Sequence, residues 1–283
     1  MVVLKNESVT VKIDELGAEL KSMVKDGTEY IWSGDPNVWA GTAPIMFPIC
    51  GGLKEDKFKF EGKEYTLTKH GFAKYKTFDI EEQSETKVVF LHISDEETKA
   101  AYPFDYELRV VFEIKGDALD ITYKVKNKTD GKMYFSIGSH EAYATPEGIE
   151  DYDIIFPEKE TLTALTLAGN FVGDPNFLVC KDTNVLPLYD KYFLIDALVF
   201  DCLKSRKTTL KNRKTGRSIS VSFPNAEFYL LWHKHGGGYI CMEPWEGIPD
   251  SLTEDGDITK KRGIRELEKG AEYITTHTIA IEG

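Results

Sequence analysis

The sequence alternates between apolar and polar residues over short stretches along its whole length. A period of two is typical of β-strands that bury one face. Turn-forming residues lie between these stretches, and Glu61-Gly62-Lys63 is predicted to join strands that end at Phe60 and begin at Tyr65. The pattern predicts an antiparallel meander, and its clearest strands are Val9 to Ile13, Val89 to Ile93, Leu108 to Phe112, Leu119 to Val125 and Ile219 to Phe223.

Helical signals are few. The clearest lies between Asp95, which can cap a short helix, and Pro103, which ends it. No linker, low-complexity tract or fixed-period repeat divides the 283 residues. We therefore predict an all-β fold with few short helices, formed by a single domain over residues 1–283 in which two large antiparallel sheets pack as a sandwich.

Charge excludes several classes of partner. The chain has 47 acidic and 35 basic residues, a formal net charge of -12, which repels nucleic acid and anionic membranes. Charged residues interrupt the first twenty positions, and no apolar stretch is long enough to span a bilayer. We expect a cytoplasmic protein that binds neither nucleic acid nor membrane.

The four cysteines are scattered and form no C-x-x-C pair, so we interpret them as buried thiols: Cys50, Cys180, Cys202 and Cys241. Cys241 also lies two residues before a candidate catalytic carboxylate, which leaves a reactive thiol as a second hypothesis.

Glu243 is the first candidate for chemistry. Alternation along Tyr239 to Trp245 places Cys241 and Glu243 on one face of a predicted strand that is otherwise largely apolar. Desolvation of a carboxylate at the end of such a strand raises its pKa toward neutrality, which suits a general base. The alternative is a structural glutamate that accepts hydrogen bonds from backbone amides before Pro244. Spacing alone does not separate the two.

His140 closes a second strand-like run, Tyr134 to His140. Ser136 and Gly138 share its face, and their small side chains leave room for a ligand to approach the sheet. An imidazole there can donate or accept a proton near neutral pH. The alternative is a core histidine that is hydrogen-bonded to the backbone.

Three other histidines carry weaker signals. His70 precedes Gly71, which permits tight backbone geometry beside a functional group. His233 and His235 are two residues apart, but no third metal ligand lies nearby and we interpret them as part of a solvated turn. The chain also has no G-x-S-x-G elbow, phosphate-binding glycine loop or zinc-type Cys/His spacing, which disfavours serine hydrolases, nucleotide enzymes and zinc enzymes.

Taken together, these residues resemble the aldose 1-epimerases, also called galactose mutarotase-like proteins, and especially the bacterial branch with a Glu-Pro-Trp motif. The resemblance implies a β-supersandwich with a sugar groove on a concave face. Five stretches carry it, in the order of the family and over nearly the whole chain: Trp39 to Ile49, His70 to Ala73, Tyr102 to Ile114, Ile137 to Tyr143 and Glu243 to Asp250.

The resemblance also implies roles. His140 matches the general acid of the family, Glu243 its general base, and His70 a histidine that binds the sugar on its ring-oxygen side. A family aspartate that holds sugar hydroxyls matches Asp196, with Asp190 as the rival. The implied activity is that of an isomerase of carbohydrate metabolism, which interconverts the α and β anomers of a free aldohexose by opening and closing the ring. The resemblance implies that the reaction needs no metal and no cofactor.

The chain departs from the family where relatives usually carry arginines. It has Gly41, Thr42 and Gly52 in the first of these regions and Lys74 in the second. Loss of bidentate guanidinium contacts disfavours a sugar phosphate and favours a free hexose.

These departures also keep open a second hypothesis, a carbohydrate-binding or sugar-sensing protein that does not catalyse. A glycoside hydrolase ranks third. It would need two carboxyl groups about 5–10 Å apart across the scissile bond, and Glu141 and Glu246 stand at odd offsets from His140 and Glu243, where strand neighbours point to opposite faces.

Overall fold

The computed structural model describes residues 1–282. Strands make up 53% of the structure and helices 8%, so the prediction of an all-β fold with few short helices is confirmed. One α-helix, α1 (Glu96–Ala101), is capped by Asp95, whose side chain accepts a hydrogen bond from the backbone of Thr98. Short 3-10 helices cover Lys54–Asp56, Ala73–Tyr75, Ile149–Asp151, Asp190–Phe193 and Ile258–Lys260.

The strands of the described residues form one large sheet and three smaller ones. The N-terminal sheet has four strands: β1 (Val2–Lys5), β2 (Val9–Asp14), β3 (Glu19–Lys25) and β4 (Thr28–Glu29). Two further sheets are strand pairs: β5 (Lys57–Phe60) with β6 (Lys63–Thr66), and β11 (Met133–Phe135) with β21 (Arg265–Leu267).

The large sheet contains fourteen strands. Its main path runs β12-β20-β19-β16-β14-β17-β18-β22-β10-β9-β8-β7, with β13 paired to β20 and β15 paired to β14. The strands are β7 (Asp79–Gln83), β8 (Lys87–Ile93), β9 (Tyr106–Lys115), β10 (Ala118–Asn127), β12 (Ile137–Gly138), β13 (Ala142–Ala144), β14 (Tyr152–Ala168), β15 (Phe171–Pro187), β16 (Leu198–Phe200), β17 (Lys207–Asn212), β18 (Ser218–Ser222), β19 (Phe228–Trp232), β20 (Tyr239–Glu246) and β22 (Glu272–Glu282).

Alternation of side chains builds the core. Every second residue of β10, and most of those of β9, is buried, and the residues that alternate with them are mostly half-exposed. The buried side chains include Leu108, Val110, Ile121 and Val125, which are at most 1% exposed. Full burial of such a side chain stabilises the fold by about 1.5–3 kcal/mol. The same alternation makes the five clearest predicted strands correspond to β2, β8, β9, β10 and β18.

Local turn chemistry also follows the prediction. Phe60 pairs with Lys63, which leaves Glu61 and Gly62 as a two-residue turn. Both have positive φ, 49° and 76°, as a type I′ hairpin turn requires. The second strand starts at Lys63 rather than at Tyr65.

The run from Tyr134 to His140 is not one strand, and this prediction is wrong. The chain changes partners within it, because β11 pairs with β21 whereas β12 pairs with β20. Gly138 leaves no space for a ligand either. A Cβ there would lie 2.8 Å from the Met46 side chain and 3.0 Å from that of Trp245, so close packing explains the glycine.

No helix in the described part of the chain is both long and apolar enough to cross a membrane.

Candidate active site

A groove of roughly 790 Å³ lies over one end of the large sheet, where β19 and β20 run side by side. Its lining residues come from distant parts of the chain. They include four candidates of the sequence analysis, His70, His140, Asp196 and Glu243, and several aromatic side chains. Among the lining residues are Trp39, Lys69, His70, Lys74, His140, Asp196, Trp232, Lys234, Glu243 and Trp245.

Glu243 lies inside β20, not at its end, so that part of the prediction is wrong. The strand continues to Glu246 because Pro244 still supplies a carbonyl, which accepts a hydrogen bond from the Ser139 amide at 3.3 Å. The Glu243 carboxyl group is fully buried. Its Oε2 accepts a hydrogen bond from Nε1 of Trp245 at 3.0 Å, and its Oε1 has no partner among the described residues. Burial raises the pKa of Glu243 well above the usual value.

His140 lies between β12 and β13, which both pair with β20. The amide of Ser139 bonds to Pro244, and the carbonyl of Glu141 accepts from the Met242 amide, so this register sets His140 opposite Glu243. The Nε2 atom of His140 is 3.5 Å from Oε2 of Glu243. Burial lowers the pKa of His140 to about 4. Its Nδ1 has no partner in the described structure, unlike the backbone-bonded core histidine of the alternative interpretation.

Two tryptophans pack against His140. The Trp39 ring centroid is 5.1 Å from that of the imidazole, and the Trp232 ring meets it edge-on at 5.6 Å. Sequence patterning did not single out either residue, because they belong to different segments that meet only in the folded groove. Together they form an aromatic wall beside His140 and Glu243.

His70 meets the His140 ring edge-on at 5.6 Å. Its Nδ1 accepts a hydrogen bond from the Gly51 amide at 3.1 Å, so the neutral ring carries its hydrogen on Nε2. Burial, followed by the charge of His140, lowers the pKa of His70 well below its usual value. The ring is thus a neutral hydrogen-bond donor at the groove.

The two candidate aspartates are in different places. Asp196 lines the groove with a φ of 95°, and its Oδ1 accepts from the amide of Ala197 at 2.9 Å. Asp190 lines a separate pocket, where its carboxylate contacts His235 and lies 2.8 Å from Nε2 of His233. Of the two aspartates, Asp196 therefore shares the groove with His140 and Glu243, and Asp190 does not. The structure also corrects the solvated-turn interpretation for His233, which is buried, while His235 is exposed.

Three of the positions that lack family arginines, Gly41, Thr42 and Lys74, have defined surroundings in the structure. A Cβ at Gly41 would lie 2.5 Å from the Trp39 ring, so glycine allows this indole to reach the groove. Thr42 is buried, and its hydroxyl donates to the Leu20 carbonyl at 2.8 Å. Lys74 lines the groove and donates to the Lys69 carbonyl at 2.9 Å, and burial lowers its pKa to about 8.

Cysteine burial differs from the expectation at two positions. Cys50 and Cys241 are buried as predicted, whereas Cys180 is half-buried and Cys202 is exposed.

Known proteins are similar to this chain in sequence and in structure. The family model "Aldose 1-epimerase" matches residues 1–279. The plasmid-encoded protein LacX of Lactococcus lactis is 35% identical over 274 residues, which cover 92% of this chain and 91% of LacX.

A galactose mutarotase related enzyme from Lactobacillus acidophilus superposes with a TM-score of 0.95 at 30% identity, over 100% of this chain and 97% of that one. A galactose mutarotase-like protein from Lactobacillus casei superposes with a TM-score of 0.92 at 27% identity, over the full length of both chains. The chain has the galactose mutarotase-like fold and belongs to the aldose 1-epimerase family.

Proposed function

We propose that this protein is a mutarotase that interconverts the α and β anomers of a free aldohexose, with His140 and Glu243 as the catalytic acid and base. The observation that carries the proposal is the 3.5 Å separation between Nε2 of His140 and Oε2 of Glu243 in a groove of roughly 790 Å³, which is large enough for a monosaccharide. Two proton-exchanging groups at this spacing can serve neighbouring oxygens of one sugar ring.

These two groups account for both proton transfers of ring opening. Glu243 takes the proton of the anomeric hydroxyl, the bond between the anomeric carbon and the ring oxygen breaks, and His140 protonates the ring oxygen. The open-chain aldehyde then rotates about its first carbon–carbon bond. Reversal of both transfers closes the ring on the other face, without a net change in oxidation state.

Burial determines where the proton starts. It raises the pKa of Glu243 and lowers that of His140, so in the empty groove a proton favours Glu243 over His140. Ring opening needs the reverse arrangement, with Glu243 ionised and His140 protonated. Sugar binding therefore has to shift this preference toward His140.

The remaining lining residues fit the recognition of sugar hydroxyls. His70 offers an N–H donor, Asp196 a carboxylate acceptor, and Trp39 with Trp232 an apolar wall of the kind that packs on a sugar face. We assign His70 and Asp196 to substrate binding on this basis. The substrate is a free hexose, because Gly41, Thr42 and Gly52 present no guanidinium to the groove.

Polarimetry tests the proposal. Freshly dissolved α-D-glucose and α-D-galactose are followed with and without protein, and we expect the wild type to speed the approach to equilibrium. His140→Ala and Glu243→Gln should each lose about 10²–10⁴-fold in rate, the range for general acid-base catalysis. His235→Ala, a histidine outside the groove, is the matched control and should keep the wild-type rate.

Other sugars separate the alternatives. A panel of aldoses and their 6-phosphates is needed, because Lys69, Lys74 and Lys234 line the groove and phosphate binds lysine. Faster turnover of a phosphate than of every free sugar would overturn the choice of substrate. Saturable sugar binding with an unchanged rate of mutarotation would instead establish a sugar-binding protein.

A further inference from the structure

Cys241 brings a third metal-binding atom to the acid-base pair. It lies two positions before Glu243 on the same face of β20, and its cross-strand neighbours are Ala142 and Trp232. One ligand atom from each of His140, Cys241 and Glu243 lies within 4.8 Å of the other two. Imidazole nitrogen, thiolate sulfur and carboxylate oxygen are the ligands that Zn²⁺ binds in proteins.

The spacing fits tetrahedral coordination. Zn–N and Zn–O distances of about 2.0–2.1 Å place two such ligands about 3.3–3.4 Å apart. The observed separation between His140 and Glu243 is 3.5 Å. A Zn–S distance of about 2.3 Å needs about 3.6 Å between sulfur and nitrogen, so Sγ of Cys241 has to move by about 1.2 Å at most. Rotation of a cysteine side chain supplies such a movement.

Glu243 offers a free ligand atom beside this pair, because its Oε1 is buried without a partner among the described residues. On His140, the atom 3.5 Å from the Glu243 carboxylate is Nε2. The indole of Trp245 donates to Oε2 of Glu243 at 3.0 Å, the type of outer hydrogen bond that orients a carboxylate ligand. Metal binding releases the proton of the Cys241 thiol, and any proton on the Glu243 carboxyl group, to solvent, because both groups bind a metal in their deprotonated forms.

We propose that His140, Cys241 and Glu243 form a binding site for a thiophilic divalent cation such as Zn²⁺, with a fourth position open to the groove. A bound cation occupies the lone pairs that move protons in the proposed reaction, so it inhibits mutarotation. The inhibitory effect rests on the proposed function, whereas the binding site does not.

Cobalt(II) tests the site without any activity. Co²⁺ bound to a thiolate gives a near-ultraviolet charge-transfer absorption, which we expect on titration of the wild type and not of Cys241→Ser. Cys202→Ser is the matched control, because Cys202 is exposed and distant in sequence, and this variant should keep the band. Loss of the band in Cys202→Ser, or its persistence in Cys241→Ser, would overturn the site, as would the absence of the band in wild type.

Zinc inhibition is the second measurement. We expect Zn²⁺ to slow mutarotation by wild type in competition with the sugar, with full recovery on addition of a chelator. Cys241→Ser should bind Zn²⁺ about 100-fold more weakly or worse. Loss of a residue that only hydrogen-bonds to a metal ligand already weakens metal binding by about 10- to 100-fold. Equal inhibition of both proteins would contradict the role of Cys241. A wild type that shows the cobalt band but no mutarotation without metal would refute only the proposed function.

Discussion

The hydrogen bond from Trp245 to Glu243 is open to a quantitative test. The indole Nε1 donates to Oε2 of Glu243 at 3.0 Å and to the Ser139 carbonyl at 3.1 Å. Trp245→Phe removes this donor and keeps an aromatic ring in place. The bond favours the ionised carboxylate, since it lowers the pKa of Glu243 against the effect of burial. The proposed ring opening needs that ionised form.

The expected loss follows from the strength of such a bond. A hydrogen bond to a charged group is worth about 1.5–3 kcal/mol. At about 1.36 kcal/mol for each factor of ten in rate, its removal should lower kcat by roughly 10- to 150-fold. The pKa of Glu243 should rise further, which moves the alkaline limb of the pH–rate profile to higher pH.

Polarimetry over a range of sugar concentrations gives kcat and KM for this variant, and near-ultraviolet circular dichroism checks its fold. Trp232→Phe is the matched control, because Trp232 lines the same groove and contacts His140 but is not a hydrogen-bond donor to Glu243 in the described structure. An unchanged kcat for Trp245→Phe, or an equal loss in both variants, would refute the reasoning.

Three further predictions concern pH, binding and stability. The active pair carries one proton, so kcat/KM should rise as pH passes about 4, where His140 loses its proton, and should fall only well above pH 4.5, where Glu243 ionises. A pH–rate profile corrected for the spontaneous reaction measures both limbs. An alkaline limb near pH 4.5 would contradict the effect of burial on Glu243. Asp196→Asn should raise KM by at least about 10-fold, the equivalent of one charge-assisted hydrogen bond, with a smaller effect on kcat; an unchanged KM would remove Asp196 from the site. Lys261→Met leaves the buried carboxylate of Asp250, now 2.7 Å from the ammonium, without its counter-ion and should destabilise the protein by about 3–5 kcal/mol. Urea unfolding measures this loss, and a change under about 1 kcal/mol would place the pair among ion pairs of little net value.

Interactions between residues that are close in sequence made much of the fold predictable. Alternation in β9 and β10 reports burial on one face, and this pattern needs no knowledge of which strand is the neighbour. The Glu61-Gly62 turn and the Asp95 cap are likewise decided by backbone geometry within a few residues. Such features survive in any fold that buries the same faces, so the sequence was sufficient to predict them.

The candidate site required more. The residue types at His140 and Glu243 were visible in the sequence, as was the desolvation of a carboxylate on an apolar strand. Their 3.5 Å separation comes from the pairing of β12 and β13 with β20, which joins segments far apart in the chain. A period of two shows which face a side chain takes, but not which strand lies opposite, because pairing depends on the packing of the whole sheet.

The same distinction explains the errors and the choices left open. Strand pairing in the sheet, not local propensity, sets where the chain changes partner after Phe135. It also sets the continuation of β20 through Pro244. The resemblance matched the family aspartate to Asp196 and kept Asp190 as the rival, and the structure places Asp196 in the groove and Asp190 beside His233. The sequence by itself determined strand faces, turns, charge and the chemistry of the candidate groups, because these depend on neighbours along the chain. Tertiary structure alone decided which groups meet, because contact depends on neighbours in space.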